Sequence, residues 1–392
     1  MKKFLAIALA LCMVFALCAC GQSAVEAAVE EAVAAAEEAV AAAEEAVAEA
    51  AVEEAVAEAV ATPYHFEMLV KSFQSSYWQA AVKGIEMEAA ATGVTVNCQG
   101  PNAESDIADQ VNMLNSAIAG APDGIGLAPN DPASVLDSLQ AAKDAGIPVV
   151  VFDSGVPQAP EGSVVSTVAT NNYAAGATAA EHLYAAVKDK IAAATAPVRV
   201  GEVNQEATSE SITSRGLGFI DKFAELAAAD GKTVAVVGNE FYVNNTKAAV
   251  VAEADADIII EVAVPAQTTV ELCATEASVI MNKADLICIF GSNQVAAEGI
   301  LTANQNLSVL GSDVEKNVLA AGFDAGSVIK AAVKDGTMYG AVTQSPLAMG
   351  ITTVDVLIAA CNGEKVEDVP TDGYWYNFEN MDSDEIAPNL YD

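Results

Sequence analysis

Basic residues are scarce in this sequence. It contains 17 lysines and arginines against 54 aspartates and glutamates, which gives a formal net charge of −37. An acidic surface repels phosphate backbones, so we expect no nucleic-acid partner. The same charge argues against direct contact of the folded domain with anionic lipid.

Histidines and the common enzyme motifs are also nearly absent. There are two histidines, and His182 falls within a predicted helix, where we interpret it as a helix-face residue rather than a base. The sequence contains no Gly-x-x-x-x-Gly-Lys, Gly-x-Gly-x-x-Gly, Gly-x-Ser-x-Gly or His-Glu-x-x-His motif. We therefore predict no catalytic residue and no cofactor. A hydrolase that uses Asp153 and Asp324 as an acid pair is the enzyme alternative, and no other residue supports it.

Cysteine is the third sparse residue, with seven in the chain. Four of them lie far from the N-terminus, and they have neither close-spaced pairs nor a histidine partner, so no metal site is predicted. We expect these four to pack as small apolar residues rather than to form disulfides. They are Cys98, Cys273, Cys288 and Cys361.

The N-terminus has the pattern of an export signal. Lys2 and Lys3 precede an apolar stretch, Phe4 to Leu17, which is too short for a comfortable membrane span. The following Leu17-Cys18-Ala19-Cys20-Gly21 resembles a bacterial lipoprotein box. We therefore predict a signal peptide over residues 1–20, lipidation at Cys20, and a protein anchored to the cell membrane outside the cytoplasm. The alternative is an ordinary secretory signal.

An acidic low-complexity segment follows at residues 21–62. Positions 25–61 contain only valine, alanine and glutamate, and no glycine or proline interrupts them, so a long helix is predicted. A coiled coil for oligomerisation is one interpretation. We favour a solvated spacer and a monomer, because the valine spacing shifts and no basic residue pairs the glutamates.

The globular part begins at Tyr64 and alternates strands with helices. This rhythm predicts an α/β fold with doubly wound parallel sheets. About 330 residues exceed what one core usually supports, so two lobes are expected. We assign residues 64–169 plus 345–370 to the first lobe, and 170–344 plus 371–392 to the second. Three chain crossings, near Thr170, Gln344-Ser345 and Pro370, would form the hinge. Residues 232–264 break the rhythm and are interpreted as an extra strand or hairpin.

Six polar residues close or follow apolar strand-like runs. Open α/β sheets place ligands outside the carboxyl ends of their strands. Six hydrogen-bonding side chains at such ends predict one small, hydroxyl-rich ligand held between the sheets, although each residue alone could simply cap a helix. They are Asp153, Asn171, Arg215, Asn293, Asp324 and Gln344.

Several of these residues belong to longer motifs in a fixed order. An opening turn precedes two aromatics, and later come an Ile-Pro-Val strand ending in Asp, an Arg-x-x-Gly-Phe segment, a Gly-Phe-Asp and a strand-end Gln. In this chain they are Ser72–Trp78, Ile147–Asp153, Arg215–Phe219, Gly322–Asp324 and Val342–Gln344. Together they resemble the periplasmic sugar-binding proteins of the ribose type, the substrate-binding subunits of ABC importers with the type I periplasmic binding protein fold.

The resemblance implies a site and a function. Tyr77 and Trp78 would cover the apolar faces of a sugar ring, while the charged and amide side chains would bind its hydroxyls. The implied ligand-binding set is Ser75, Tyr77, Trp78, Asp153, Asn171, Arg215, Asn293, Asp324 and Gln344. The chain departs from the ribose pattern at Gln74-Ser75 and Ser154, and it has no clear third aromatic, so the expected ligand is a small sugar or related polyol rather than ribose in particular.

The implied activity is capture of that sugar for delivery to an ABC import permease. The alternative is a lipoprotein receptor that presents a sugar-like quorum signal or a chemoattractant to a membrane sensor. A transcription regulator of this fold would need a DNA-binding head, and an export signal stands in that place.

Overall fold

A computed structural model describes residues 64–391 of the chain. The predicted signal peptide, the lipidation site at Cys20 and the acidic spacer lie outside the described residues. In chain order the strands are β1 (His65–Leu69), β2 (Thr95–Gln99), β3 (Gly124–Leu127), β4 (Val149–Phe152), β5 (Ser166–Thr170), β6 (Val198–Val203), β7 (Val234–Gly238), β8 (Ile258–Ala263), β9 (Leu286–Gly291), β10 (Leu319–Phe323), β11 (Gly340–Thr343), β12 (Val369–Thr371) and β13 (Tyr374–Tyr376). The helices are α1 (Ser76–Thr92), α2 (Ile107–Ala119), α3 (Leu136–Asp144), α4 (Asn172–Ala193), α5 (Glu210–Ala229), α6 (Glu240–Asn245), α7 (Val270–Met281), α8 (Gln294–Leu307), α9 (Ser327–Lys334) and α10 (Pro346–Cys361).

These strands form two sheets. The first has six strands in the order β12-β5-β4-β3-β1-β2, and all of its pairs are parallel. The second has seven strands in the order β13-β11-β10-β9-β6-β8-β7. Its pairs are parallel except at the edge, where β13 runs antiparallel to β11. The predicted α/β fold with parallel sheets is confirmed, with this one antiparallel edge added.

The chain passes between the sheets three times, after β5, after β11 and after β12. We call the six-stranded sheet and its helices the first lobe, and the seven-stranded sheet and its helices the second lobe. One oxygen joins the three crossings: Thr170 Oγ1 donates to Gln344 Oε1 at 2.8 Å and lies 3.1 Å from Thr371 Oγ1. The three crossings therefore lie next to one another in space, and each of them connects the first sheet with the second.

Helices cover both faces of each sheet. In the first lobe α1 and α10 pack on one face and α2 and α3 on the other. In the second lobe α4 and α5 cover one face, and α7, α8 and α9 cover the other. Both sheets are therefore buried on both sides, which explains why their strands are nearly continuous apolar runs.

Glycines allow one helix pair in each lobe to pack at backbone contact. In the first lobe a methyl group added to Gly350 would lie 2.2 Å from the carbonyl oxygen of Ala81. In the second lobe a methyl group added to Gly176 would lie 1.9 Å from the carbonyl oxygen of Arg215. The contact between α4 and α5 in the second lobe therefore fixes the backbone of Arg215 directly.

The segment at residues 232–264 does not form a hairpin. β7 and β8 pair in parallel, and the short helix α6 lies between them in the chain. The predicted extra strand is present, whereas the alternative of a hairpin was wrong, because β7 and β8 are parallel and a parallel pair requires a crossover. The βα rhythm continues through this part of the second lobe.

Within residues 64–391, no helix has both the length and the apolar character that crossing a bilayer requires. The four cysteines of this range are free thiols. Cys273 and Cys288 are buried, whereas Cys98 and Cys361 are half-buried.

Candidate ligand-binding site

A cavity lies between the two lobes, at the carboxyl ends of both sheets. Eight of the nine residues predicted to bind a ligand line it. The first lobe supplies Ser75, Tyr77, Trp78 and Asp153, and the second supplies Arg215, Asn293, Asp324 and Gln344.

Asp153 is the centre of the first-lobe side of this cavity. Its carboxylate lies 3.0 Å from the ammonium of Lys71 and accepts a 2.7 Å hydrogen bond from the hydroxyl of Tyr77. Burial alone would lower the pKa of Lys71, but Asp153, Glu104 and Glu206 outweigh it, so the pKa of Lys71 is raised. Burial and Asp153 raise the pKa of Tyr77 well above 10, so its hydroxyl stays a donor.

Asp324 occupies the corresponding position in the second lobe. It accepts from Gln344 Nε2 at 2.9 Å and from the backbone amide of Gln294 at 3.0 Å. Burial raises the pKa of Asp324, although Arg215 and these donors oppose the shift. Asp153 and Asp324 both have left-handed backbones, with φ of 63° and 74°. Aspartate tolerates that region better than most residues, and such strain concentrates at functional sites.

Arg215 projects from the second turn of α5 rather than from a strand end. Its Nε and one terminal nitrogen donate to Asn172 Oδ1 at 3.2 and 2.6 Å, and the other donates to the carbonyl of Ser292 at 2.6 Å. The guanidinium carbon lies 3.5 Å from the centre of the Phe323 ring. These contacts fix the plane of the guanidinium and leave two of its five N–H groups free to meet a ligand.

Trp78 and Asn293 are linked across the cavity through two residues that the sequence did not indicate. Trp78 Nε1 donates to Glu104 at 2.8 Å, and Gln205 Nε2 donates to the same carboxylate at 2.6 Å. Asn293 Nδ2 in turn donates to Gln205 Oε1 at 2.5 Å. Burial raises the pKa of Glu104, and the charge of Lys71 opposes that shift.

The lobes are in direct contact around the cavity. Lys71 Nζ donates to Ser211 Oγ at 2.9 Å, and the Ser211 backbone amide donates to Ser154 Oγ at 3.0 Å. The bond from Gln205 to Glu104 also joins the lobes. The remaining cavity measures about 20 Å³, which is room for about one water molecule. A sugar could enter only if these contacts part.

Asn171 does not lie with the other predicted residues. It is exposed, and its side chain accepts from the amide of Ala174 as the N-cap of α4. Its neighbour Asn172 is buried and orients Arg215 instead. The sequence reasoning also missed Lys71 and Gln205, although both come just after a strand and thus satisfy the criterion that found Asp153.

The site does not have the composition of a metal centre. Among residues 64–391 no group of three or more histidine, cysteine, aspartate or glutamate side chains is arranged to hold an ion. The cavity instead combines two cations with three carboxylates, several amides and two aromatic rings. That mixture can donate to and accept from a ligand with many hydroxyl groups.

Comparison with known proteins agrees with this arrangement. A family model described as "Periplasmic binding protein domain" matches residues 66–365. The D-allose-binding periplasmic protein of Escherichia coli is 24% identical over 311 residues, covering 78% of this chain and 87% of that protein. The ribose import binding protein of Salmonella typhimurium is 26% identical over 239 residues, covering 61% of this chain and 66% of that protein.

A solved structure shows the same fold. An ABC transporter solute-binding protein from Agrobacterium vitis, with bound D-fucose, superposes with a TM-score of 0.68 at 27% identity, covering 83% of this chain and all of that one. The chain belongs to the periplasmic binding protein domain family, and its resemblance to the ribose-type sugar-binding proteins is confirmed.

Proposed function

We propose that this protein binds a small sugar or a related polyol between its lobes and delivers it to an ABC import permease. The observation that carries the proposal is the convergence of eight hydrogen-bonding or aromatic side chains, four from each lobe, on one cavity. Two of the similar proteins are named for binding D-allose and ribose, and the Agrobacterium vitis protein holds bound D-fucose. Sugar capture without chemical change is therefore the function that best fits the site.

The residues can be assigned roles in this proposal. Asp153 and Asp324 accept from sugar hydroxyls, and Arg215 donates through its two free N–H groups. Tyr77 and Trp78 supply apolar surface for the C–H face of the ring. Because both lobes contribute, the ligand would favour the closed form through contacts that exist only when the lobes meet.

We also propose that the protein acts outside the cytoplasm as a monomer tethered at Cys20. This part rests on the lipoprotein-like sequence around Cys20, which lies outside the described residues. A receptor that presents a sugar-like signal to a membrane sensor would need the same closure, so transport and signalling share the binding test below.

The test is calorimetric titration with D-allose, D-ribose, D-fucose and related monosaccharides. At least one should bind, and it should be recovered unchanged. Arg215→Ala should then lower affinity by about 2–4 kcal/mol, because the ligand's acceptors lose a charged donor. Arg215→Lys should restore little of this, because an ammonium lacks the planar fork of donors.

A matched control is Arg199→Ala. Arg199 is also a buried arginine of the second lobe, but it pairs with Glu261 and Asp285 away from the cavity. Arg199→Ala should lower the free energy of unfolding and leave the affinity for the sugar unchanged. The proposal is wrong if no sugar binds the wild type, or if a bound sugar is turned over. If Arg215→Ala binds like the wild type, Arg215 has only a structural role.

A further inference from the structure

A second, larger cavity adjoins the first between the lobes, and we call it the side pocket. Its first-lobe wall is Gln74 and Ser75, and its second-lobe wall is formed by the starts of α7 and α8. It measures about 310 Å³, which is within the range of small-molecule pockets. Ser75, Gln294 and Val295 line both cavities, so the two spaces are neighbours separated by side chains.

The side-chain amide of Gln294 lies between the two cavities and lines both of them. Gln294 Nε2 lies 3.2 Å from Ser76 Oγ across the lobes and donates to Glu298 Oε1 at 2.8 Å. The amide packs closely on Gly326, where an added methyl group would lie 2.6 Å from Gln294 Nε2. This side chain therefore lies between the two cavities in the structure.

The wall of the side pocket contains a polar group without a partner. Thr268 is 4% exposed, and its hydroxyl oxygen has no hydrogen-bond partner among the residues that the structure describes. The neighbouring Thr269 is different, because its hydroxyl accepts from the amide of Leu272 as the N-cap of α7. The Thr268 oxygen has almost no accessible surface, so a ligand in the side pocket would reach it only after a local rearrangement.

The charge of the side pocket restricts what can occupy it. Glu271 and Glu298 are its charged residues, and no lysine or arginine lines it. Burial raises the pKa of Glu298, and a hydrogen bond from Gln294 opposes the shift. Two carboxylates disfavour a phosphate or carboxylate on the ligand, while they accept readily from hydroxyl groups.

We propose that the ligand extends beyond one sugar ring, and that a second, uncharged, hydroxyl-bearing unit occupies the side pocket. The ligand class is then a neutral disaccharide or glycoside, with its first ring among Asp153, Arg215 and Asp324. This inference rests on the proposed sugar-binding function. It adds that the interlobe site has two compartments, with Gln294 between them.

The test compares matched sugars by calorimetry: D-glucose with cellobiose and maltose, D-galactose with lactose and melibiose, and each neutral disaccharide with a uronic-acid counterpart. At least one neutral disaccharide should bind about tenfold more tightly than its monosaccharide, because the second unit gains hydrogen bonds. Its uronic-acid counterpart should lose that gain.

Variants of the side pocket locate the effect. Val270→Trp fills the side pocket without altering a residue of the first cavity, so it should abolish the disaccharide advantage and leave monosaccharide affinity within about twofold. Val279→Trp, at an exposed position on the same helix, controls for the added ring.

The outcomes separate the two proposals. If monosaccharides bind and no disaccharide binds as tightly, the two-compartment site is wrong and sugar binding stands. The same conclusion follows if Val270→Trp leaves a disaccharide advantage unchanged. If no sugar of either size binds, the proposed function itself is wrong.

Discussion

The two lobes present an aspartate at the same place but surround it differently. Asp153 follows β4 and Asp324 follows β10, each with a left-handed backbone. Asp153 is paired with a buried ammonium, that of Lys71, whereas Asp324 accepts from the neutral amide of Gln344 and a backbone N–H. Equivalent positions at strand ends can therefore bond a carboxylate directly to an ammonium, or to neutral donors while the charge of Arg215 acts from a greater distance. The first arrangement depends on both partners, and the second does not.

The largest expected effect separates these two arrangements. Asp153→Asn should lower the free energy of unfolding by about 3–5 kcal/mol, because it leaves the Lys71 ammonium buried without its partner. Asp324→Asn should cost about 1 kcal/mol or less, because no directly bonded cation is left behind. Urea denaturation at pH 7 measures both. Lys71→Met added to Asp153→Asn should recover much of the loss, and equal losses in the two single variants would contradict the comparison.

A second comparison uses the glycine contacts of the helix pairs. Gly176→Ala and Gly350→Ala should each cost about 1–3 kcal/mol of stability, because a methyl group meets a backbone carbonyl. Only Gly176→Ala presses on the backbone of Arg215, so only this variant should also weaken sugar binding, by about tenfold. Denaturation and calorimetry on the same samples measure the two effects. Similar affinity losses in both variants would show that the second lobe has no special coupling to the site.

The smallest expected effect concerns Glu202, a buried acid of the second lobe whose direct hydrogen-bond partner is an amide. Glu202 is fully buried, and one of its oxygens accepts from Asn204 Nδ2 at 2.6 Å. Burial raises the pKa of Glu202 well above its ordinary value of 4.5, although the Asn204 bond opposes the shift. The stability from its protonated form is therefore complete below about pH 4.5 and is lost as pH rises towards the folded-state pKa.

Glu202→Gln should remove this dependence. The variant should gain on the order of 1 kcal/mol relative to the wild type between pH 4 and pH 7, and the difference should be constant below pH 4. Denaturation curves at several pH values measure it. A constant difference across the whole range would show that Glu202 ionises as readily in the folded state as in the unfolded state.

Much of the fold could be predicted because its signals are periodic. Long apolar strands alternate with amphipathic helices, and the prediction failed where an element was too short to show a period. Helix α6 spans only Glu240–Asn245, so the parallel pair around it was interpreted as a possible hairpin. Pairing direction is decided by the crossover, which the local sequence does not reveal.

The motif resemblance supplied Tyr77 and Trp78, which lie on α1, and the rule that ligands bind at strand ends supplied other site residues. Asp153 and Asp324 follow that rule. Asn171 and Asn172 are adjacent asparagines. Which of them caps α4 and which holds Arg215 depends on the residue at which the helix begins, and the sequence does not fix that start to one residue. Lys71 follows the same rule as Asp153, but a lysine is expected at the surface unless its buried partner is known. Glu104 lies in a loop, where no pattern marks it.

The order of strands in the first sheet has a consequence for how the chain folds during synthesis. β12 pairs with β5, and Thr170 and Thr371 in these strands are 201 residues apart in the chain. The first sheet therefore cannot close until β12 has been synthesised, and the second sheet cannot close until β13, which follows directly in the chain, has been synthesised as well. Pairings this distant form slowly. Until these last strands have emerged from the ribosome, at roughly 5–20 residues per second, neither sheet of the chain is complete.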